Sequence, residues 1–300
     1  MNYRHLFHAG SFADVFKHAA LVLVLDRLLA KEKPFVVIDS HAGAGLYDLW
    51  APEAGRGGEW RTGIQRLMAA SDPPAEVRAY LSLVQQINPD GALRWYPGSP
   101  LLAALRLRRQ DRLAAIERHP DEAAGLRTAL SGKSAGRIEI REGDGYAALK
   151  ALLPPTPRRG VVVIDPPYES PDEGEHLVRA LKAAWRRWPT GHYLVWYPTK
   201  DPELVAALHR AAAELTEAKL DEGEPLVAEL HLPSLGGEGR LSGCGLLLLN
   251  PPWQIEEVLS RLLPALAALL GSGVAPLKGA TAIRRLTAAP SLPSSRPSRA

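Results

Sequence analysis

Short runs of Val, Ile and Leu alternate along this chain with longer stretches of helical spacing, and that alternation limits the fold more than any other feature. Strands buried on both faces read as continuous apolar sequence, and helices between them supply the crossovers that parallel pairing needs. PFVVIDS (34–40), LAAIE (113–117), RIEIREGD (137–144), VVVID (161–165) and HYLVWYP (192–198) read as strands. Helical stretches at 12–33, 100–109, 120–131, 145–153, 173–188, 201–218 and 253–270 punctuate them. The last two runs, PLVAELHLP (225–233) and GCGLLLLNP (243–251), are joined by a Gly-rich connection too short for a helical crossover. They therefore read as an antiparallel hairpin. The expected fold is α/β, a seven-stranded, mostly parallel sheet with a terminal antiparallel hairpin.

Residues 46–95 break this rhythm. They hold Gly- and Pro-rich loops and two helix-like stretches, 59–70 and 75–87, with no clear strand. The expected organisation is one main domain, 1–45 with 96–279, carrying 46–95 as an inserted helical subdomain. Residues 280–300, rich in Ser, Pro, Ala and Arg, read as a disordered tail. A formal charge of +3 is mildly basic and compatible with an anionic partner. The single cysteine, Cys244, excludes an internal disulfide framework and a cysteine-built zinc site. MNYRHLFHAG has no secretory h-region, and the longest uncharged tract, 262–277, is broken by Pro264, Gly271, Gly273 and Pro276. A cytoplasmic, monomeric protein is expected.

In an open α/β sheet, ligands bind beyond the carboxyl ends of the strands. The first such end is VVIDSHAGAG (36–45), where Gly43 and Gly45 let the backbone pass close to a ligand. The dinucleotide fingerprint is incomplete, because Asp48 stands at its third glycine position. Glu117 ends the next strand and suits the ribose hydroxyls of an adenosine cofactor; a solvated charge is the plainer reading. Asp144-Gly145 suits an adenine amino group, or simply a helix N-cap. Helix 12–33 opens on Ser11-Phe-Ala-Asp14, the spacing of a capping box. Lys17 and His18 lie in its first turns, where the helix dipole disfavours cations, so Lys17 either meets an anion there or is merely solvated. His5, His8, His18 and His41 lack a carboxylate cluster, and no metal is expected.

Two strands end alike, in Asp165-Pro-Pro-Tyr168 and in Asn250-Pro-Pro-Trp253. An exocyclic adenine amine is a poor nucleophile, since its lone pair is delocalised into the ring. Methylating it takes acceptors for both N–H groups: a carboxylate or amide oxygen, and a carbonyl aimed by a stiff turn. Prolines such as Pro166 fix φ and donate nothing, and an adjacent ring can stack on an extruded base. Topology separates the two turns. DPPY ends a parallel strand near the Gly-rich turn, whereas NPPW ends the antiparallel hairpin at the opposite edge. DPPY is expected to be the site and NPPW a structural exit turn.

YRHLFHAGSFADVFKH (3–18), VVIDSHAGAG, WYPGSPL (95–101) and IDPPY together resemble the bacterial 23S ribosomal RNA large subunit methyltransferase J family, over residues 1 to about 270. The resemblance implies a Rossmann-like class I fold and S-adenosyl-L-methionine (SAM) as donor. It also implies transfer to N6 of one adenine in protein-free 23S RNA. Position by position, it implies that Lys17, His18, His41, Ser99, Glu117, Asp144 and Gly145 contact SAM. Asp165 would accept from the target amine, with Tyr3 and His5 closing over the centre. RNA contacts are sought among Arg56, Arg61 and Arg66, among Arg106, Arg108 and Arg109, and at Arg158 and Arg159, each of them equally readable as a solvated face. The rival readings are a DNA adenine methyltransferase, an NAD-linked oxidoreductase and a silent RNA-binding protein on the same fold.

Overall fold

The computed structural model describes residues 5–217, 223–235, 241–271 and 280–287. Helix α1 (Phe12–Leu29) leads into β1 (Val36–Asp39), then β2 (Leu46–Asp48), α2 (Pro52–Gly57), α3 (Ile64–Met68), α4 (Ala75–Gln86) and β3 (Trp95–Pro97). Regular alternation follows: α5 (Ser99–Arg106), β4 (Arg112–Glu117), α6 (Pro120–Leu130), β5 (Arg137–Glu142), α7 (Gly145–Leu152) and β6 (Gly160–Ile164). It continues through α8 (Glu173–Arg187), β7 (His192–Pro198) and α9 (Pro202–Glu217), and closes with β8 (Leu226–His231), β9 (Gly243–Leu249), α10 (Ile255–Leu270) and β10 (Thr281–Arg285).

The main sheet runs β10-β8-β9-β7-β6-β1-β4-β5. β1 lies between β4 and β6, parallel to both. β9 enters antiparallel between β7 and β8, so the hairpin expected from its short connection is present. Strand residues alternate between two cores. Val37, Leu113, Ala115, Val161 and Val163 face one, and Val36, Ile38, Ala114, Ile116, Val162 and Ile164 face the other. Burial on both faces is why these strands carry no polar alternation. α1 packs against α4, α5 and α10. That enclosure explains why almost every residue of α1 is buried, Asp14 and Lys17 included.

Two expectations are corrected. The sheet has eight strands, because β10 pairs antiparallel with β8, from Thr281↔Leu230 to Arg285↔Leu226. The expected disordered tail therefore does not hold for Thr281–Arg285, and residues 288–300 lie outside the described residues. Arg284 donates to Glu229 (2.8 Å) and Arg285 to Glu256 (2.6 Å), so the arginines that made this segment look unstructured anchor it. Segment 46–95 also contains strand at its ends: β2 and β3 form an antiparallel ribbon, Tyr47 opposite Tyr96. Three-residue strands carry no readable periodicity.

Candidate active site

The carboxyl ends of β1, β4 and β6 and the amino ends of α1, α5 and α7 surround a cavity of about 570 Å³. That lies within the usual range of small-molecule sites. Most expected positions meet on its wall. Lys17, His18, His41, Gly43, Ser99, Glu117, Asp144 and Gly145 line it, as do His5, Asp165, Pro166 and Tyr168. Gly45 does not. Its φ of +77° turns the chain, and a Cβ there would meet Leu126 at 2.9 Å. Tyr3 lies outside the described residues.

The Gly-rich turn is tied to the end of β4. Glu117 Oε2 accepts from Gly43 N at 2.8 Å and Oε1 from His119 N at 2.7 Å. Each oxygen keeps capacity for a further donor. Gly43 sits at φ +61°, and a Cβ on it would fall 2.2 Å from the Tyr47 hydroxyl. Gly145 brings α7 against β1 so closely that a Cβ would stand 1.9 Å from Ser40 O. Asp144 caps α7, accepting from Ala147 N at 2.8 Å, while still lining the cavity. His41 accepts or donates through Nδ1 to Ser40 Oγ at 2.8 Å, and burial pulls its pKa down to about 4, leaving it neutral. His18 faces Tyr96 Oη at 2.8 Å, which Tyr80 backs at 3.0 Å. The His18 ring is thereby tied to the ribbon and to α4.

Another part of the wall carries a buried ion-pair network. Lys17 Nζ donates to Asp14 Oδ1 at 2.9 Å and to Asp165 Oδ2. Its anions are thus protein carboxylates, which outweigh burial and hold its pKa well above the ordinary lysine value. Asp165 follows β6, with Oδ2 held by Lys17. Tyr168 adopts φ +52°, its hydroxyl donates to Trp196 O at 2.6 Å, and the two rings pack 5.7 Å apart.

Several residues escaped the sequence reading. Asp14 was legible only as a helix-cap residue. Its amide does accept that role, donating to Ser11 Oγ at 3.3 Å, but its carboxylate reaches Gly10 N, His5 and Lys17 instead. Asp39 is 1 % exposed, and neither of its oxygens has a well-formed hydrogen bond, although the Ser99 hydroxyl and the His41 backbone lie close enough to favour its charge. Burial pushes its pKa up to about 6, opposed by the Ser99 hydroxyl and the Lys17 ammonium. A polar residue ending the first strand was the available signal. His119 Nδ1 and Glu122 Oε2, also on the wall, are buried without partners. Among the described residues no group of three or more His, Cys, Asp and Glu could hold a metal ion. No described helix is long and apolar enough to cross a membrane.

Comparisons with known proteins find close relatives of nearly the whole chain. Residues 32–281 match the family model described as "Ribosomal RNA large subunit methyltransferase D, RlmJ". The ribosomal RNA large subunit methyltransferase J of Escherichia coli is 39 % identical over 272 residues, covering 90 % of this chain and 94 % of that protein. That of Haemophilus influenzae is 36 % identical over 271 residues, with the same coverage. The crystal structure of protein LPL1258 from Legionella pneumophila superposes with a TM-score of 0.81 at 32 % identity, covering 94 % of this chain and 99 % of that one.

Proposed function

This chain belongs to the RlmJ family of ribosomal RNA large subunit methyltransferases, and from that membership we propose that it methylates N6 of one adenine in protein-free 23S RNA, as a cytoplasmic monomer. The donor is SAM. The observation that carries the adenine reading is Asp165: a carboxylate beside a stiff Pro-Pro turn, one oxygen fixed by a buried ammonium, facing the cavity.

The residues fit the donor. Glu117, with each oxygen already oriented by one backbone amide, would take the ribose hydroxyls, and Asp144 the adenine amine. Gly43, whose missing Cβ admits the Tyr47 hydroxyl to the turn, lines the wall with Ser99, His41 and His18. Asp39, buried at the end of β1 next to the lining residues Ser40 and His41, would lend a carboxylate to the ammonium of the methionine moiety. When bound, SAM supplies a methyl group already activated on a sulfonium, so no metal is needed.

The chain's own part is to present the amine. Lys17 occupies Asp165 Oδ2, leaving Oδ1 to accept one N6–H. The Pro166 carbonyl would accept the other, and both prolines withhold competing donors. The Tyr168 ring, fixed by its bond to Trp196 O, would stack on the extruded base. Proton loss follows transfer, so Asp165 orients the amine rather than acting as a strong base. RNA is held by the cavity rim, where Arg118 and Lys200 are exposed, and by the insertion. There the exposed Trp50 ring lies 5.4 Å from the Arg94 guanidinium.

Labelled SAM offered with naked 23S RNA, intact large subunits and duplex DNA tests the reading. Label on N6-methyladenine of naked RNA is expected. Label confined to DNA would move the substrate to the rival class, and label confined to intact subunits would overturn the protein-free reading.

A further inference from the structure

The segment His5–Ser11 lies between the insertion and α1. On the insertion side, two glycines let backbone meet backbone. A Cβ at Gly57 would stand 2.1 Å from Phe7 O, and one at Gly63 2.0 Å from Gly10 O. Ile64 N donates to Gly10 O at 2.9 Å, and His8 Nδ1 pairs with Glu59 at 3.0 Å. On the α1 side a single carboxylate receives the segment. Asp14 Oδ2 accepts from Gly10 N at 3.1 Å and pairs with His5 Nε2 at 2.9 Å. Its other oxygen accepts from Lys17 at 2.9 Å, and Lys17 in turn holds Asp165.

One unbroken chain of contacts therefore runs from the insertion, through Gly10 and His5, to Asp14, Lys17 and Asp165. Asp14 is 4 % exposed, so its charge depends on these partners. Burial opposes the charge, yet His5 and Lys17 hold its carboxyl well below the usual carboxylate range. Lys17 depends on Asp14 equally, as a buried cation in the first turns of a helix.

We propose that Asp14 is a positioning residue that couples seating of the N-terminal segment on the insertion to the orientation of Asp165. The proposal rests on Asp165 as the acceptor. When Gly10 N and His5 leave Oδ2, the carboxylate loses the partners that fix its plane. Lys17 then recentres on Asp165 and carries the acceptor oxygen with it. Contacts made by RNA on the insertion thus reach the reacting amine through one side chain.

A double-mutant cycle on transfer to protein-free 23S RNA tests this, with SAM affinity and melting temperature measured beside it. Asp14→Asn keeps the shape but turns one acceptor into a donor. It should lower kcat by about 30-fold or more, with SAM affinity and the RNA KM within about threefold of wild type. Gly63→Ala, outside the cavity, should lower kcat by about five- to tenfold alone and add nothing to Asp14→Asn. If Asp14→Asn melts below the assay temperature, the cycle is run with Asp14→Glu, which keeps the charge and misplaces it. Losses that multiply in the double variant, or a fall in melting temperature and SAM affinity with kcat preserved, would overturn the coupling. A wild type that leaves 23S RNA unmethylated would overturn both the coupling and the function it rests on. An active wild type matched by Asp14→Asn would overturn the coupling alone.

Discussion

Asp165-Pro-Pro-Tyr168 and Asn250-Pro-Pro-Trp253 are spelled alike, and the fold puts them to different uses. The first ends parallel β6 beside β1, where Asp39 pairs with Val163 in register. The second ends β9, whose Leu249 lies opposite Tyr193 near the start of β7, at the other edge of the sheet. Asn250 is satisfied on the spot: its amide donates to Thr190 O at 3.0 Å, and its carbonyl accepts from His192 at 2.5 Å. Asp165 is instead bound to a buried ammonium and faces a cavity. Backbone strain is distributed differently too. At the exit turn the left-handed residues are Asn250, φ +50°, a type that tolerates it, and Gln254, φ +59°, just past the motif at the cap of α10. At the other it is Tyr168, for which the same region is costly. The shared motif does not separate the two turns; strand direction and the partner of the first side chain do.

Four perturbations break or sharpen that contrast. The largest is Lys17→Met, which strips the buried ammonium from Asp165 and leaves Asp14 with only His5 and Gly10 N. It should destabilise the fold by about 3–5 kcal/mol in chemical denaturation. Asn250→Ala, losing one well-made bond, should cost about 1 kcal/mol. Next is Tyr168→Ala, expected to lower kcat/KM for RNA by about 10- to 100-fold in steady-state methyl transfer. Tyr168→Phe should recover most of that, and Trp253→Ala, though that ring is 78 % exposed, should change nothing.

Third is Asp39→Asn, which separates stability from binding. The wild-type carboxyl titrates at about 6 in the fold against 3.8 for the ordinary group. Between those values the folded state binds the extra proton, so stability falls as pH rises from about 4 to 6. The variant should therefore be more stable than wild type by about 1–3 kcal/mol above pH 6, and equal below pH 4. Thermal melts across that range read it, and calorimetry should show SAM affinity reduced in the same protein. The smallest effect is expected at Trp50→Ala: an RNA KM raised a few-fold, with SAM affinity unchanged, in steady-state assays.

The parts of this protein legible in its sequence are those whose chemistry is local. Parallel strands buried on both faces announce themselves as VVIDS or VVVID, and the acids at their ends follow from where each run stops. The β2–β3 ribbon was invisible because three residues hold no period, and β10 because Arg284 and Arg285 looked like a solvated tail until Glu229 and Glu256 were placed beside them. Asp14 was legible as a capping residue and no more. Its partners at the site include Asp165, reached through Lys17 across 148 positions of sequence, and no local pattern records such a distance. Gly45 erred the other way: a glycine in a cofactor-like turn whose freedom serves the turn and its packing on Leu126.

The central claim is that chemistry resides at DPPY and not at NPPW. Methyl transfer from labelled SAM to protein-free 23S RNA, measured in parallel for wild type, Asp165→Asn and Asn250→Ala, tests it most directly. The account expects Asp165→Asn to lose about two to three orders of magnitude in kcat while still binding SAM, with Asn250→Ala within about threefold of wild type. Retained transfer in Asp165→Asn, or its loss in a folded Asn250→Ala, would contradict the account.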